Sequence, residues 1–140
     1  MDYNTFTRWL LHSPFHGLLS KSTASLVYTG RKSGKVYETP INYVQTDAGD
    51  LLVTSYRTRT WWRNLRGGTS IGVWLRGTKV PGMAEVIEDE PGVAEYLMAY
   101  LKKVSKHAKY FGVALDADDN PVAADVAAAA KERVIIKVSL

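Results

Sequence analysis

The chain has 140 residues, a formal net charge of +4, 46% hydrophobic and 23% charged residues, and no cysteine. That is the size and balance of one soluble globular domain, residues 1–140, able to bury a core; it excludes disulfides, thiol nucleophiles and cysteine-based metal sites. No run reaches the length of a membrane span, and Arg8, His12 and His16 interrupt an N-terminus that begins with Asp2 after the initiator, so neither a span nor a signal peptide is expected and the cytoplasm is the expected compartment.

Phe6, Trp9 and Leu10 fall at helical spacing, which predicts a helix over Tyr3 to Leu11 with Asn4 as its cap; Ser13-Pro14 breaks it and Phe15 to Leu19 resumes as a short helix. Thr23 to Thr29 reads as a strand. Val36 to Val44 reads as its hairpin partner, with Gly34 supplying the positive φ of the turn. Pro40 inside the second strand marks an edge or a bulge, since proline donates no ladder hydrogen bond. Thr46 to Asp50 is a turn, Leu51 to Ser55 a third strand, and Thr58 to Arg66 a short helix stopped by Gly67-Gly68. Ile71, Val73 and Leu75 alternate in a fourth strand, Arg76 to Lys79 turns, and Val80 to Ile87 is a fifth. Pro91 opens a helix whose apolar face is Val93, Leu97, Tyr100, Leu101 and Val104. Pro121 to Arg133 is alanine-rich and helical, and Val134, Ile136 and Val138 alternate in a last strand. About six mostly antiparallel strands with inserted helices make an α+β fold around a small sheet or barrel.

The first hairpin turn, Gly30-Arg31-Lys32-Ser33-Gly34-Lys35, concentrates cations and backbone donors as an anion site does. It is not a P-loop: three residues rather than four separate the glycines, Val36 follows the lysine, and the flanks are two strands. A phosphate grip and a merely solvated basic turn both fit this composition. Downstream, a helix over Thr58 to Arg66 gathers Arg59, Arg63 and Arg66 on one face. Trp61 and Trp62 are adjacent and point apart, so at least one belongs to the core. Nucleic-acid binding is not expected, because the basic and aromatic patch is short and the net charge modest. No metal site is expected either. His12 and His16 lack acidic companions, and Asp116-Ala117-Asp118-Asp119-Asn120 has Pro121 and Ala127 where a calcium loop needs glycine and glutamate, so it reads as an acidic turn before a helix.

Thr29-Gly30-Arg31-Lys32-Ser33-Gly34, then Pro40, Leu52-Val53-Thr54-Ser55, Trp61 and Asn64-Leu65 together resemble the deazaflavin (coenzyme F-420)-dependent nitroreductase and quinone reductase family. The resemblance runs from about Leu26 to Glu88. It implies a split β-barrel related to the flavin-mononucleotide-binding proteins and a reductase passing a hydride from the reduced deazaflavin to a quinone, enone or nitro compound. It also implies roles. Arg31, Lys32, Ser33 and Gly34 hold the acidic tail of the coenzyme, Pro40, Thr54 and Ser55 line its ring, and Trp61 and Asn64 close the groove. Arg57 replaces a missing lysine charge. This chain departs from the family with Tyr37 where an arginine is common, Asn42 where an aromatic is common, and Ser55-Tyr56-Arg57-Thr58 where the family has Ser-Lys-Gly-Gly. No acid, base or nucleophile is identified; Ser55, Tyr56 and Tyr110 are candidate substrate contacts. Flavin mononucleotide is the alternative cofactor, and a non-catalytic binder of lipid or another amphiphile the alternative function. The expected partner is a small-molecule acceptor, with room for peripheral membrane contact, in a monomer or homodimer.

Overall fold

The computed structural model describes residues 23–140. The two helices expected over Tyr3 to Leu11 and Phe15 to Leu19, with His12 and His16, lie outside the described residues. The rest forms an α+β fold around one seven-stranded antiparallel sheet in the order β2-β1-β5-β6-β7-β4-β3. The strands are β1 (Thr23–Thr29), β2 (Val36–Asn42), β3 (Val44–Gln45), β4 (Leu51–Tyr56), β5 (Thr69–Leu75), β6 (Thr78–Ile87) and β7 (Arg133–Ser139).

One residue explains the shape. β2 and β3 occupy opposite edges of the sheet, yet only Tyr43 separates them in the chain. A peptide of that length cannot cross a flat sheet. The sheet therefore curls until its two edges come together at Tyr43. This is a split barrel. It also explains why the expected single strand over Val36 to Val44 is two: Asn42 pairs with Thr23 of β1, whereas Val44 pairs with Leu52 of β4. Pro40 sits opposite Ser25 on edge strand β2, where the missing N–H breaks no ladder.

Curling creates two cores. Leu26, Val53, Val73, Val134, Ile136 and Val138 fill the barrel interior with Trp62 and Leu65. Leu52 and Ile135 point the other way, into a second cluster with Val93, Leu97, Leu101 and Val126. β4 and β7 are thus buried on both faces where each carries three consecutive apolar residues, Leu51 to Val53 and Val134 to Ile136. The outer cluster is closed by α1 (Glu90–Lys103) and α2 (Ala123–Ala130). Asp89 caps α1, accepting a 2.8 Å hydrogen bond from the Gly92 N–H, and Pro91 lies in the first turn as expected.

The alanine-rich helix is shorter than expected. It ends at Ala130, and Arg133 belongs to β7, where it pairs with Tyr56. Strand pairing with β4 overrides the helix propensity of the segment. The helix expected over Thr58 to Arg66 is a single 3₁₀ helix, Trp61–Leu65. A second 3₁₀ helix, Ser105–Phe111, was not legible in the sequence; it follows α1 and ends at Gly112, whose φ of 70° suits glycine. The Asp116 carboxylate accepts from the N–H groups of Asp118 and Asn120, so this acidic stretch is the turn that its composition suggests.

Candidate active site

The basic turn is a built loop. Gly30 N–H donates to the Lys35 carbonyl at 2.8 Å, Gly34 N–H to the Gly30 carbonyl at 2.9 Å, and Gly34 takes φ 69°. Gly30 is required by crowding: a Cβ there would stand 2.6 Å from the Tyr37 ring and 2.7 Å from the Ser33 hydroxyl. Ser33 and Tyr37 hydroxyls share a 3.1 Å hydrogen bond. The side chain of Asn64 clamps this turn to the 3₁₀ helix, accepting from the Arg31 N–H at 2.9 Å and donating to the Trp61 carbonyl at 2.9 Å.

Between turn and helix lies a cavity of about 740 Å³, lined on one side by Arg31, Lys32 and Ser33 and on the other by Trp61, Arg63 and Asn64. Tyr28 and Tyr37 form its floor, their rings stacked with centroids 6.0 Å apart. Burial pushes the Tyr28 phenol above its usual range, so it stays neutral; its hydroxyl is hydrogen-bonded to Thr39 at 2.7 Å. No aspartate or glutamate lines this cavity among the described residues. The charged side chains that line it are all cations, and Tyr28, Tyr37 and Trp61 give it aromatic walls.

A second cavity of about 660 Å³ occupies the split of the barrel. Thr39, Pro40 and Asn42 line it from β2, and Thr54, Ser55 and Tyr56 from β4. The second 3₁₀ helix closes it with His107, Tyr110 and Phe111. Trp61 lines both cavities. Its indole N–H donates to the Ser55 hydroxyl at 3.1 Å and its ring lies 6.0 Å from that of Tyr28. Because Ser55 accepts from Trp61, its own proton is left to donate elsewhere.

The ten candidate coenzyme residues thus divide. Arg31, Lys32, Ser33 and Asn64 meet at the first cavity, Pro40, Thr54 and Ser55 at the second, and Trp61 at both. Gly34 shapes the turn without lining either. Arg57 is not at the site: its guanidinium turns away and donates to the main-chain carbonyls of Glu88 at 2.5 Å and Ala130 at 3.2 Å. It follows Tyr56 at the end of β4 and so projects toward the helices, a role in structure rather than in replacing a lysine charge. Tyr56 and Tyr110, the candidate substrate contacts, both line the second cavity.

The three arginines expected on one helical face do not share one. A 3₁₀ helix brings residues three apart together, so Arg63 and Arg66 flank the first cavity while Arg59, before the helix starts, lines the second. Both Arg63 and Arg66 lie over the buried Trp62 ring, 5.7 and 5.1 Å from its centre. Trp62 is the core tryptophan; its N–H donates to the Tyr56 carbonyl at 3.0 Å.

Arg66 also grips Glu88 through two hydrogen bonds, 2.9 and 2.7 Å. Hydrogen bonding from Arg66 holds the Glu88 carboxyl below the usual glutamate range, against a smaller opposing effect of burial. A carboxyl with a lowered value in the folded state stabilises above its unfolded value and loses that contribution as pH falls through the lowered one. Glu88→Gln should therefore melt below wild type at neutral pH, and the two melting curves should converge as pH drops through and beneath the usual carboxylate range. The pair is exposed, so the gap is small, and a gap that stays constant to low pH would refute the linkage.

Arg133 is the residue that sequence reasoning missed. It lies on β7 at the second cavity, its guanidinium carbon 3.9 Å from the Tyr56 ring centre and 4.3 Å from that of Phe111. It donates to the Tyr56 hydroxyl at 3.0 Å. Burial lowers its pKa, opposed by Tyr56 and Glu132, yet an arginine keeps its charge at any physiological pH. Placing Arg133 at the end of a helix hid it; the pattern Arg-Val-Ile-Ile-Lys-Val was the signal that a strand already begins there.

Comparison with known proteins bears on this geometry directly. The sequence profile of the F420H(2)-dependent quinone reductase family matches residues 15–119, three quarters of the chain. The chain belongs to that family. No sequence among the curated proteins matches it. Among solved structures, the reductase-family chain is similar to one described as a domain-swapped dimer, at 17% identity and a TM-score of 0.55, covering 96% of this chain and 94% of that one. It is similar to an F420-H2 dependent reductase at 17% identity and a TM-score of 0.50, over 85% of this chain and 96% of the other. A third similar structure, an FAD and heme binding protein from Mycobacterium smegmatis, is 13% identical with a TM-score of 0.52, over 99% of this chain and 66% of that one. At these identities the structures speak to the fold, which is the split barrel derived above. Among the described residues no helix is long and apolar enough to cross a membrane.

Proposed function

We propose that this member of the family is a reductase that binds the deazaflavin coenzyme across both cavities and reduces an electron-poor organic acceptor. The observation that carries the reading is Trp61, one side chain shared by a cavity rich in cations and a cavity set into the barrel split. The residues fit the coenzyme: an acidic tail needs cations without competing carboxylates, and a flat heterocycle needs aromatic and apolar walls. Arg31 and Lys32 present the charge, with the Arg31 backbone fixed by Asn64. Trp61, Pro40 and the backbone of Thr54 and Ser55 offer the walls for the ring.

When bound, the reduced deazaflavin supplies two electrons as hydride. The chain's own residues orient and shield. The barrel split holds the acceptor against the ring and excludes water. The Ser55 hydroxyl, turned by the Trp61 indole, donates a hydrogen bond to the oxygen on which charge develops, and Tyr56 or Tyr110 supplies a second donor.

A fluorescence titration with the deazaflavin, run beside flavin mononucleotide, tests the reading. The deazaflavin should bind and the flavin bind more weakly. Arg31→Ala should weaken deazaflavin binding roughly 10- to 100-fold, the worth of about 1.5–3 kcal/mol for a charge-assisted contact. No binding of either, with fatty acid recovered from the purified protein, would leave the family's fold serving as an amphiphile binder.

A further inference from the structure

The second cavity has an electrostatic character that a site for a neutral acceptor does not need. Its lining holds Arg59, His107 and Arg133, and no aspartate or glutamate among the described residues. Arg133 is half-buried, its guanidinium carbon packed against two rings, 3.9 Å from the centre of Tyr56 and 4.3 Å from that of Phe111. Its hydrogen-bond partner is the Tyr56 hydroxyl, and the Glu132 carboxylate, next to it in the chain, acts on it through space without forming an ion pair. Among the described residues no carboxylate lies within ion-pairing distance of it, in contrast to Arg66, which has Glu88. A guanidinium so placed is partly pre-organised: two ring contacts and a hydrogen bond restrict it before any ligand arrives, so less side-chain freedom remains to be lost. Its fork of N–H donors matches the two oxygens of a carboxylate. Partial burial makes such a contact stronger than one at the open surface. Arg59, exposed at the rim, adds a second positive charge. Around them Tyr110 and Phe111 provide aromatic walls suited to a flat ring, apart from the Pro40 and Trp61 side given to the coenzyme.

We infer that the barrel-split cavity selects a planar acceptor bearing a carboxylate, with Arg133 as the anchoring cation and Arg59 as its outer partner. This rests on the reductase reading for the word acceptor; the anion subsite itself does not.

The probes are 4-nitrobenzoate and its uncharged methyl ester, followed by tryptophan fluorescence and calorimetry on the full chain, with the deazaflavin titrated separately into the same preparation. Wild type should bind the acid at least about tenfold tighter than the ester, and the margin should shrink as salt is raised. Arg133→Gln should abolish the margin and Arg59→Gln reduce it, while ester binding changes little. Arg133→Lys, which keeps the charge but not the fork, should restore only part. Should Arg133→Gln fail to fold, the wild-type comparison and Arg59→Gln still decide. Equal affinity for acid and ester in wild type overturns the inference, as does failure of both probes to bind. Deazaflavin binding without acid preference overturns this inference and leaves the reductase reading intact. Acid preference without deazaflavin binding supports the anion subsite and overturns the reductase reading.

Discussion

Trp61→Ala should lower affinity for the deazaflavin by about 30-fold or more while the protein remains folded. The magnitude follows from the stacking of a flat heterocycle on an aromatic side chain, about 1–3 kcal/mol, with tenfold for each 1.4 kcal/mol. The upper part of that range applies because Trp61 borders both cavities. Its loss also removes the N–H that orients Ser55, so the effect on turnover should exceed the effect on affinity. Trp61→Phe separates the two contributions: it keeps a ring and loses the N–H, so affinity should fall only a few-fold while turnover still drops. Fluorescence titration, steady-state rates and a thermal melt check this. A folded Trp61→Ala protein with unchanged affinity would mean that the two cavities do not share one ligand.

Ile135→Ala and Ile136→Ala should each cost about 2–5 kcal/mol of folding free energy, the range for truncating a fully buried isoleucine. Both side chains are fully buried, and they lie on opposite faces of β7, Ile136 inside the barrel and Ile135 under the helices. They share no cluster, so the cavities they leave are separate, and any departure from additivity reports coupling through the strand backbone they share. The double variant then loses on the order of 6 kcal/mol, comparable with the whole stability of a domain, about 5–15 kcal/mol. Urea unfolding of the single variants and a wild-type control measures this, with the double variant read from its population unfolded in water. A large coupling energy would mean that the sheet does not separate the two cores as independent layers.

The local elements were legible because their signals are local. Gly34 takes the positive φ that a tight turn demands, Pro91 lies in the first turn of α1, and the apolar face of that helix buries Val93, Leu97, Tyr100 and Leu101. Strand existence followed from alternation, and strand ends from turn residues. The misses are equally informative. Val36 to Val44 divides at Tyr43 because its partner strand changes there, which depends on the whole sheet closing. Pro121 to Arg133 looked helical to its end because alanine favours helix, yet Arg133 pairs with Tyr56. In the sequence Arg57 reads as a charge for the coenzyme and Arg59 as one of three arginines on a helix face; the structure sends the first to the carbonyls of Glu88 and Ala130 and the second to the barrel split.

The amino-acid sequence by itself determined the turn chemistry, the place of most strands and of the longest helix, and the family whose pattern they carry. These depend on side chains a few residues apart, whose preferences act through backbone angles and burial periodicity. Only the tertiary structure decided which cations face a ligand and which are consumed by the scaffold. That choice is made where β2, β4, β7 and the second 3₁₀ helix converge, and it brings Tyr56, Phe111 and Arg133 into contact across 77 residues of chain. Whether an arginine is a ligand group or a structural brace is set by what lies within about 4 Å of its guanidinium, a distance that no spacing along the chain encodes.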